Sequence, residues 1–313
     1  MNKKILITGT DGFIGSILKN HFINSGFQVF GTTFFKPSND EKEIQFDITK
    51  KEEFSKLWVN DQFDIIIHTI GLIDQTQPYD IMHAVNTQGT EFMCEYAKSH
   101  GCKHFIFTSS VSVYGFKTMG ENRTEKDTER KNKGRFFPPY GRTKALAEEI
   151  IEKSGLDYTI LRLPLVLGAG DTFISPSIVP RLLDGTMFSC EKKKRHKISV
   201  LYVKNLGPII ERLFSIAPIN MPVNCIAETI FWDDFVKEFA KNLKLEYEPN
   251  KKSFYSMFIH SKDKKYQLIA SYSARGAHYS STLLENILNN WKPPFNWNDG
   301  VREAIEGYID ITR

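Results

Sequence analysis

The chain has 313 residues, 41% of them apolar and 25% charged, which is ordinary for a soluble globular protein and excludes disordered, collagen-like and membrane-embedded classes. That length accommodates one large domain or two modest ones. The 41 Lys and Arg against 37 Asp and Glu leave a formal charge of +4, too mild and too mixed to point to nucleic acid as the main partner, and a small anionic ligand stays open.

Short apolar runs alternate with amphipathic stretches through the first half. They predict strands at 3–8, 27–33, 44–46, 63–69, 103–109 and 157–163, and helices near 13–25, 50–59, 79–100 and 140–154. This is the layout of an α/β protein with a doubly wound parallel sheet. From about 164 the alternation breaks up, with Pro164, Pro176, Pro180, Pro208, Pro218 and Pro222 between short elements, and one more strand is expected near 223–226. Two segments are charge-rich. Residues 116–136 predict a solvated surface connection, with a lid as the other reading, and Glu191–Lys197 predict a solvated hairpin tip, with a phosphate clamp as the other reading.

Cys94, Cys102, Cys190 and Cys225 have neither the spacing of a zinc site nor the density of a disulfide scaffold, so reduced thiols and no metal are expected. Only Ile5, Leu6 and Ile7 follow the N-terminal basic residues before Thr8 and Gly9, and no run approaches the ~20 apolar residues of a membrane span. A cytoplasmic protein without membrane contact is expected.

The first strand runs into Thr8-Gly9-Thr10-Asp11-Gly12-Phe13-Ile14-Gly15 at a strand-to-helix junction. Glycines there let the backbone turn tightly and approach a pyrophosphate, which the free N–H groups and positive dipole of the helix N-terminus favour. Tyr140 and Lys144 lie four apart at the start of a helix opened by Pro138-Pro139, so they share one face, ~6 Å apart along the axis. A phenol beside a fixed ammonium is expected to ionise more easily and to serve as an acid/base near neutral pH. Ser109-Ser110-Val111-Ser112-Val113-Tyr114-Gly115 places hydroxyls at the carboxyl edge of the sheet, where open α/β sheets bind ligands.

With those motifs in order, the chain resembles the extended short-chain dehydrogenase/reductase family, the NAD-dependent epimerase/dehydratase-like enzymes that modify nucleotide-linked sugars. The resemblance also rests on Asp47 in Phe46-Asp47-Ile48-Thr49, on Asp64 to His68, on Asn86-Thr87-Gln88-Gly89-Thr90 and on Leu161-Arg162. It implies a Rossmann NAD(P)-binding domain over 1–165 and a smaller mixed α/β substrate-binding region over 166–313, some of whose elements pack back on the first. It also implies catalysis by Ser110, Tyr140 and Lys144. Gly9, Gly12, Phe13, Ile14 and Gly15 would line the phosphates, Asp47 and Ile48 the adenine, and Thr69, Ile70, Gly71, Asn86, Tyr140 and Lys144 the rest of the cofactor. A homodimer through the long helices is part of the same implication.

Departures from the family pattern narrow the reading. The end of the second strand has Thr33 where NAD-binding members carry a carboxylate for the ribose hydroxyls, and Lys36 follows. NADP(H) is therefore favoured over NAD(H), which stays open. The serine segment has no Asp-Glu pair, so dehydration is not expected. Ile70 replaces a small residue beside the nicotinamide. Ile198 stands at the place of the arginine that holds a diphosphate, leaving Ser110, Ser112, Arg195 and Lys197 as substrate candidates. The leading expectation is an oxidoreductase or epimerase acting on a nucleotide-linked sugar. The alternatives are a hydroxysteroid-dehydrogenase-like enzyme and a non-catalytic dinucleotide sensor.

Overall fold

The computed structural model describes residues 3–115, 122–130, 138–191, 195–253 and 264–312. The chain divides into two compact units, one of Met1–Phe116, Glu125–Leu163 and Gly207–Asn224, the other of Lys117–Thr124, Pro164–Leu206 and Cys225–Arg313.

The first unit is built on seven strands: β1 (Lys4–Thr8), β2 (Gln28–Thr33), β3 (Glu43–Gln45), β4 (Ile65–His68), β5 (His104–Ser110), β6 (Tyr158–Leu163) and, later in the chain, β10 (Pro222–Asn224). They pair in the order β10-β6-β5-β4-β1-β2-β3, every neighbour parallel. All residues of β4 and β6 are buried, as are all but one of β1 and β5. The apolar runs are continuous because both faces of a parallel sheet are covered. The order reverses between β1 and β4, so a crevice opens where Thr8 and His68 end their strands.

Helix α1 (Phe13–Asn24) follows β1 directly. Residues 50–59, expected as a helix, make only a 3₁₀ turn at Lys51–Lys56. A single helical run covers 79–99, as α2 (Tyr79–His83), a wider π turn at Ala84–Gln88 and α3 (Gly89–Ser99). Helix α4 (Pro139–Lys153) has proline in its first turn, where no intrahelical N–H is needed. Phe30, Phe63, Phe105, Met93 and Ile151 belong to the core of this unit.

The second unit contains the mixed sheet β11 (Glu228–Phe231), β9 (Lys197–Tyr202), β7 (Leu165–Leu167) and the two-stranded pair β12 (Asn250–Lys252), β8 (Phe188–Cys190). Its core gathers Ile178, Phe188, Val200, Trp232, Phe235 and Phe239, so these aromatics are packing residues. Phe254, Tyr255 and Phe258 lie outside the described residues. Asp171 caps the helix Ser175–Leu183, accepting from the backbone N–H of Ile174 at 2.6 Å and of Ser175 at 3.0 Å. The hairpin expected around 191–197 is not formed: β8 pairs with β12, and β9 with β7 and β11. The connection between them therefore joins two sheets.

Within the 116–136 segment, residues 116–121 and 131–136, on which the lid reading largely falls, lie outside the described ones. The described middle is not a solvated connection throughout. Arg123 is buried and bridges to Tyr279, and the Glu125 carboxylate accepts the backbone N–H of Asn224 at 2.8 Å. Among the described residues no helix is long and apolar enough to cross a membrane. Cys94, Cys190 and Cys225 are buried, and burial pushes the Cys94, Cys102 and Cys225 thiols up to about 12.

Candidate active site

The glycine turn is set by two local demands. Gly9 has φ +74°, a conformation that side chains rarely adopt. At Gly15 a Cβ would fall 2.0 Å from the Gly9 carbonyl oxygen, so α1 reaches the turn only without a side chain there. Gly12 precedes α1, and no side chain caps the helix. The N–H groups at Phe13 and Ile14 therefore face the crevice as an anion site. A glycine turn packed this closely on an uncapped helix start fits a dinucleotide pyrophosphate. We expect Gly15→Ala to cost ~1–3 kcal/mol of stability by overpacking, measured from the urea midpoint, and to weaken dinucleotide binding further than the stability loss explains.

Thr33 ends β2 buried, its hydroxyl donating to the Lys36 carbonyl at 2.8 Å, while the Lys36 side chain is exposed. A carboxylate does stand at this strand end: Asp11, from the glycine turn, accepts the backbone N–H of Phe34 at 2.8 Å and of Phe35 at 2.7 Å. The missing carboxylate on which NADP(H) was favoured is a property of β2 alone. Asp47 accepts from the backbone N–H of Thr49 at 3.0 Å and from its hydroxyl at 2.7 Å. Burial pulls its pKa upward, but those bonds and Lys50 outweigh it and the net shift is down. Ile48 is a core residue, 4% exposed.

Thr69 is tied to the end of β1, donating its hydroxyl to the Thr8 carbonyl at 2.6 Å. Ile70 packs against the glycine turn, so that a Cβ on Gly9 would meet its Cγ1 at 3.1 Å. His68 is fully buried between the hydroxyls of Thr8 at 2.8 Å and Thr90 at 3.1 Å. Burial brings its pKa down to about 3, so the ring is neutral. Asn86, in the π turn, accepts the Leu72 N–H at 2.7 Å and donates to the Leu72 carbonyl at 3.0 Å and the Thr143 hydroxyl at 3.0 Å. It thereby ties the segment after Gly71 to α4, one turn from Tyr140. Such π turns are frequent at functional sites.

Ser110, Tyr140 and Lys144 meet at the carboxyl edge of β5. The Ser110 hydroxyl hydrogen-bonds Tyr140 and accepts the Ser112 N–H at 3.2 Å. Lys144 follows Tyr140 on the same face of α4. It is 2% exposed, with its Nζ 4.2 Å from the Phe107 ring centroid; a Cβ on Gly71 would lie 3.3 Å from that Nζ. The expected easing of Tyr140 ionisation is corrected. Burial pushes the phenol up, with the Ser110 hydrogen bond opposing it, and burial also brings Lys144 from 10.5 down to about 7 against the pull of Glu148. Desolvation outweighs mutual attraction, and Tyr140 is an un-ionised phenol at pH 7.

The Lys144 shift has a consequence for stability. Between about 7 and 10.5 the unfolded chain holds a proton on Lys144 that the folded chain does not, so the burden of burying it lightens as pH rises. Lys144→Met is expected to raise the melting temperature, and by more at pH 6 than at pH 9.

Glu148, one turn beyond Lys144, and Arg162 of β6 form a fully buried ion pair. It fixes α4 against β5 and β6, a role not visible in the sequence. Ser112 Oγ is buried and has no hydrogen-bond partner among the described residues, an unspent polar atom two residues from Ser110. In the second unit Arg195 pairs with Asp234 and lies 4.1 Å over the Phe231 ring, with the Lys197 ammonium 5.6 Å from the same ring. Ile198 is completely buried, and Asn205 is held in reciprocal hydrogen bonds with the Phe295 backbone at 2.8 and 3.0 Å.

A parallel sheet with a crevice at its order reversal, a glycine turn under a helix N-terminus and a serine–tyrosine–lysine cluster define a Rossmann-type dinucleotide-binding protein. Residues 5–206 match the family described as the NAD dependent epimerase/dehydratase family, and the chain belongs to it. It is similar to the UDP-glucose 4-epimerase of Pisum sativum, 30% identical over 198 residues, covering 52% of this chain and 51% of that protein. A UDP-glucose 4-epimerase of Bacillus subtilis (strain 168) is 29% identical over 169 residues, covering 47% of this chain and 46% of that protein. The chain thus spans about half the length of the curated relatives it matches. Similar solved structures include the Bordetella bronchiseptica enzyme WbmH in complex with NAD+, at TM-score 0.79 and 18% identity over 99% of both chains. Another is the UDP-glucose 4-epimerase of Thermotoga maritima with UDP-glucose, at TM-score 0.76 and 19% identity over 99% of this chain and 100% of that one. At these identities the likeness establishes the fold.

Proposed function

We propose that the protein is an NAD(P)-dependent oxidoreductase or epimerase that moves a hydride to or from a hydroxyl-bearing or keto carbon, with a nucleotide-linked sugar as substrate class. The observation that carries this reading is the meeting of Ser110, Tyr140 and Lys144 at the sheet edge that ends in the glycine turn. A pure binder or sensor has no use for a tyrosine with a serine hydrogen bond and a buried lysine beside it. The nicotinamide dinucleotide supplies the hydride chemistry when bound. Tyr140, held protonated by burial, gives its proton to the reacting keto oxygen, and in the reverse direction the phenolate takes it back; Ser110 orients that oxygen. Lys144 holds the ribose and offsets the charge of the phenolate left when Tyr140 has given up its proton. Thr69, Ile70, Gly71 and Asn86 form the nicotinamide side, and Asp47 with Ile48 the adenine side.

The family match and the names of the relatives support a sugar nucleotide. The buried Ile198 and the engaged Arg195 favour a second reading, a lipophilic alcohol of the hydroxysteroid type, because neither side chain is poised for a diphosphate. Competition by UDP separates the two. Saturable displacement of a UDP-hexose supports the sugar reading, and no effect of UDP on the dinucleotide-loaded protein supports the alcohol. A cytoplasmic homodimer joined through the helices at 79–99 and 139–153 accompanies the proposal. Light scattering of the purified protein tests the dimer.

A further inference from the structure

Asp11 spends one carboxylate oxygen on the turn after β2: Oδ2 accepts the N–H of both Phe34 and Phe35. No hydrogen bond or ion pair among the described residues engages Oδ1. The side chain borders a cavity of about 300 Å³ whose lining includes Thr33, Lys36, Ser38, Lys19 and Glu43. Of the two cations there, Lys19 is already neutralised, 2.8 Å from Glu43 and 3.6 Å from Asp40. Ser38 at 2.7 Å, with Thr10, holds Glu43 in place. Lys36 is exposed, with its charge in water.

We infer that Asp11 is the residue that sets dinucleotide specificity. Its Oδ1 accepts a hydroxyl of the adenosine ribose in place of the carboxylate that β2 lacks and repels a 2′-phosphate, so the chain takes NAD(H) in preference to NADP(H). The inference rests on the dinucleotide reading of the glycine turn and deepens it. A carboxylate already fixed by two N–H groups loses little freedom on accepting a ribose hydroxyl. A 2′-phosphate in that place sets further negative charge against it, and a solvated lysine on a flexible stem offsets only part of that.

The test is a titration of the full chain with NADH and with NADPH, read by ligand fluorescence, for the wild type, Asp11→Asn and Lys36→Ala. The wild type is expected to bind NADH at least ~10-fold more tightly than NADPH, the scale of one hydrogen bond to a charged group. Asp11→Asn keeps an acceptor for Phe34 and Phe35 and narrows the ratio at least ~5-fold, while Lys36→Ala leaves it within ~2-fold. Equal affinities or tighter NADPH binding by the wild type overturn the inference alone, as does an equal weakening of both ligands in Asp11→Asn. If Asp11→Asn fails to fold, Lys36→Ala decides: a selective loss of NADPH affinity shows that Lys36 governs the choice and overturns the inference. Binding of neither dinucleotide by the wild type removes the cofactor reading and the inference with it.

Discussion

Tyr140→Phe is expected to lower turnover of a nucleotide-linked sugar by at least ~10²-fold, the low end for loss of a general acid–base group, with dinucleotide affinity within ~3-fold of wild type. Only the hydroxyl is removed; the ring and the first turn of α4 remain. That hydroxyl is the group Ser110 holds, and burial keeps it protonated at neutral pH. Ser110 cannot replace it, because a serine hydroxyl is a far weaker acid, and the Lys144 Nζ is placed 4.2 Å from the Phe107 ring centroid. Steady-state rates with a fluorescence titration of NADH separate the two effects. An equal fall in affinity and turnover would assign Tyr140 to binding alone.

Arg162→Leu is expected to destabilise the first unit by ~3–5 kcal/mol, the range for breaking a buried ion pair from one side. The guanidinium meets Glu148 through Nε–Oε1 at 3.0 Å and Nη2–Oε2 at 2.7 Å, and its Nη1 donates to the Tyr114 hydroxyl at 2.9 Å. Tyr114 donates in turn to Asn224 at 2.8 Å, and Ser109 to Glu148 at 2.6 Å. Burial works against the arginine charge, but Glu148 outweighs it and holds the pKa above its ordinary value. Without Arg162 the Glu148 carboxylate stays buried and loses the guanidinium that balances its charge. The double variant Arg162→Met with Glu148→Leu removes both charges and is expected to recover most of the loss. Guanidinium denaturation of the two variants measures this. Equal destabilisation by both would mean that packing volume, rather than charge, is what the pair contributes.

The sheet was legible because its interior strands are buried on both faces. The expected strands at 103–109 and 157–163 sit at His104–Ser110 and Tyr158–Leu163, one residue away. The glycine turn and the Tyr140–Lys144 spacing were legible for the same reason: each is a short-range pattern with a physical requirement behind it. What escaped depends on contacts across the fold. Asp11 meets residues 23 and 24 positions away, and Glu148 meets Arg162 across 14. Neither partner is marked by local periodicity. The hairpin expected at 191–197 failed because two adjacent strands joined different sheets. The direction of the Tyr140 shift was missed because spacing reveals the neighbouring charge but not the desolvation that outweighs it.

On the proposed function, Ser110, Tyr140 and Lys144 perform dinucleotide-dependent chemistry on a sugar nucleotide. The proton NMR spectrum of UDP-galactose incubated with the protein and NAD(H), for wild type and Tyr140→Phe in parallel, tests it most directly. The prediction is a changed configuration or oxidation state at a sugar carbon with the wild type and an essentially unchanged spectrum with Tyr140→Phe. An unaltered sugar with the wild type, or equal rates with both proteins, would contradict it.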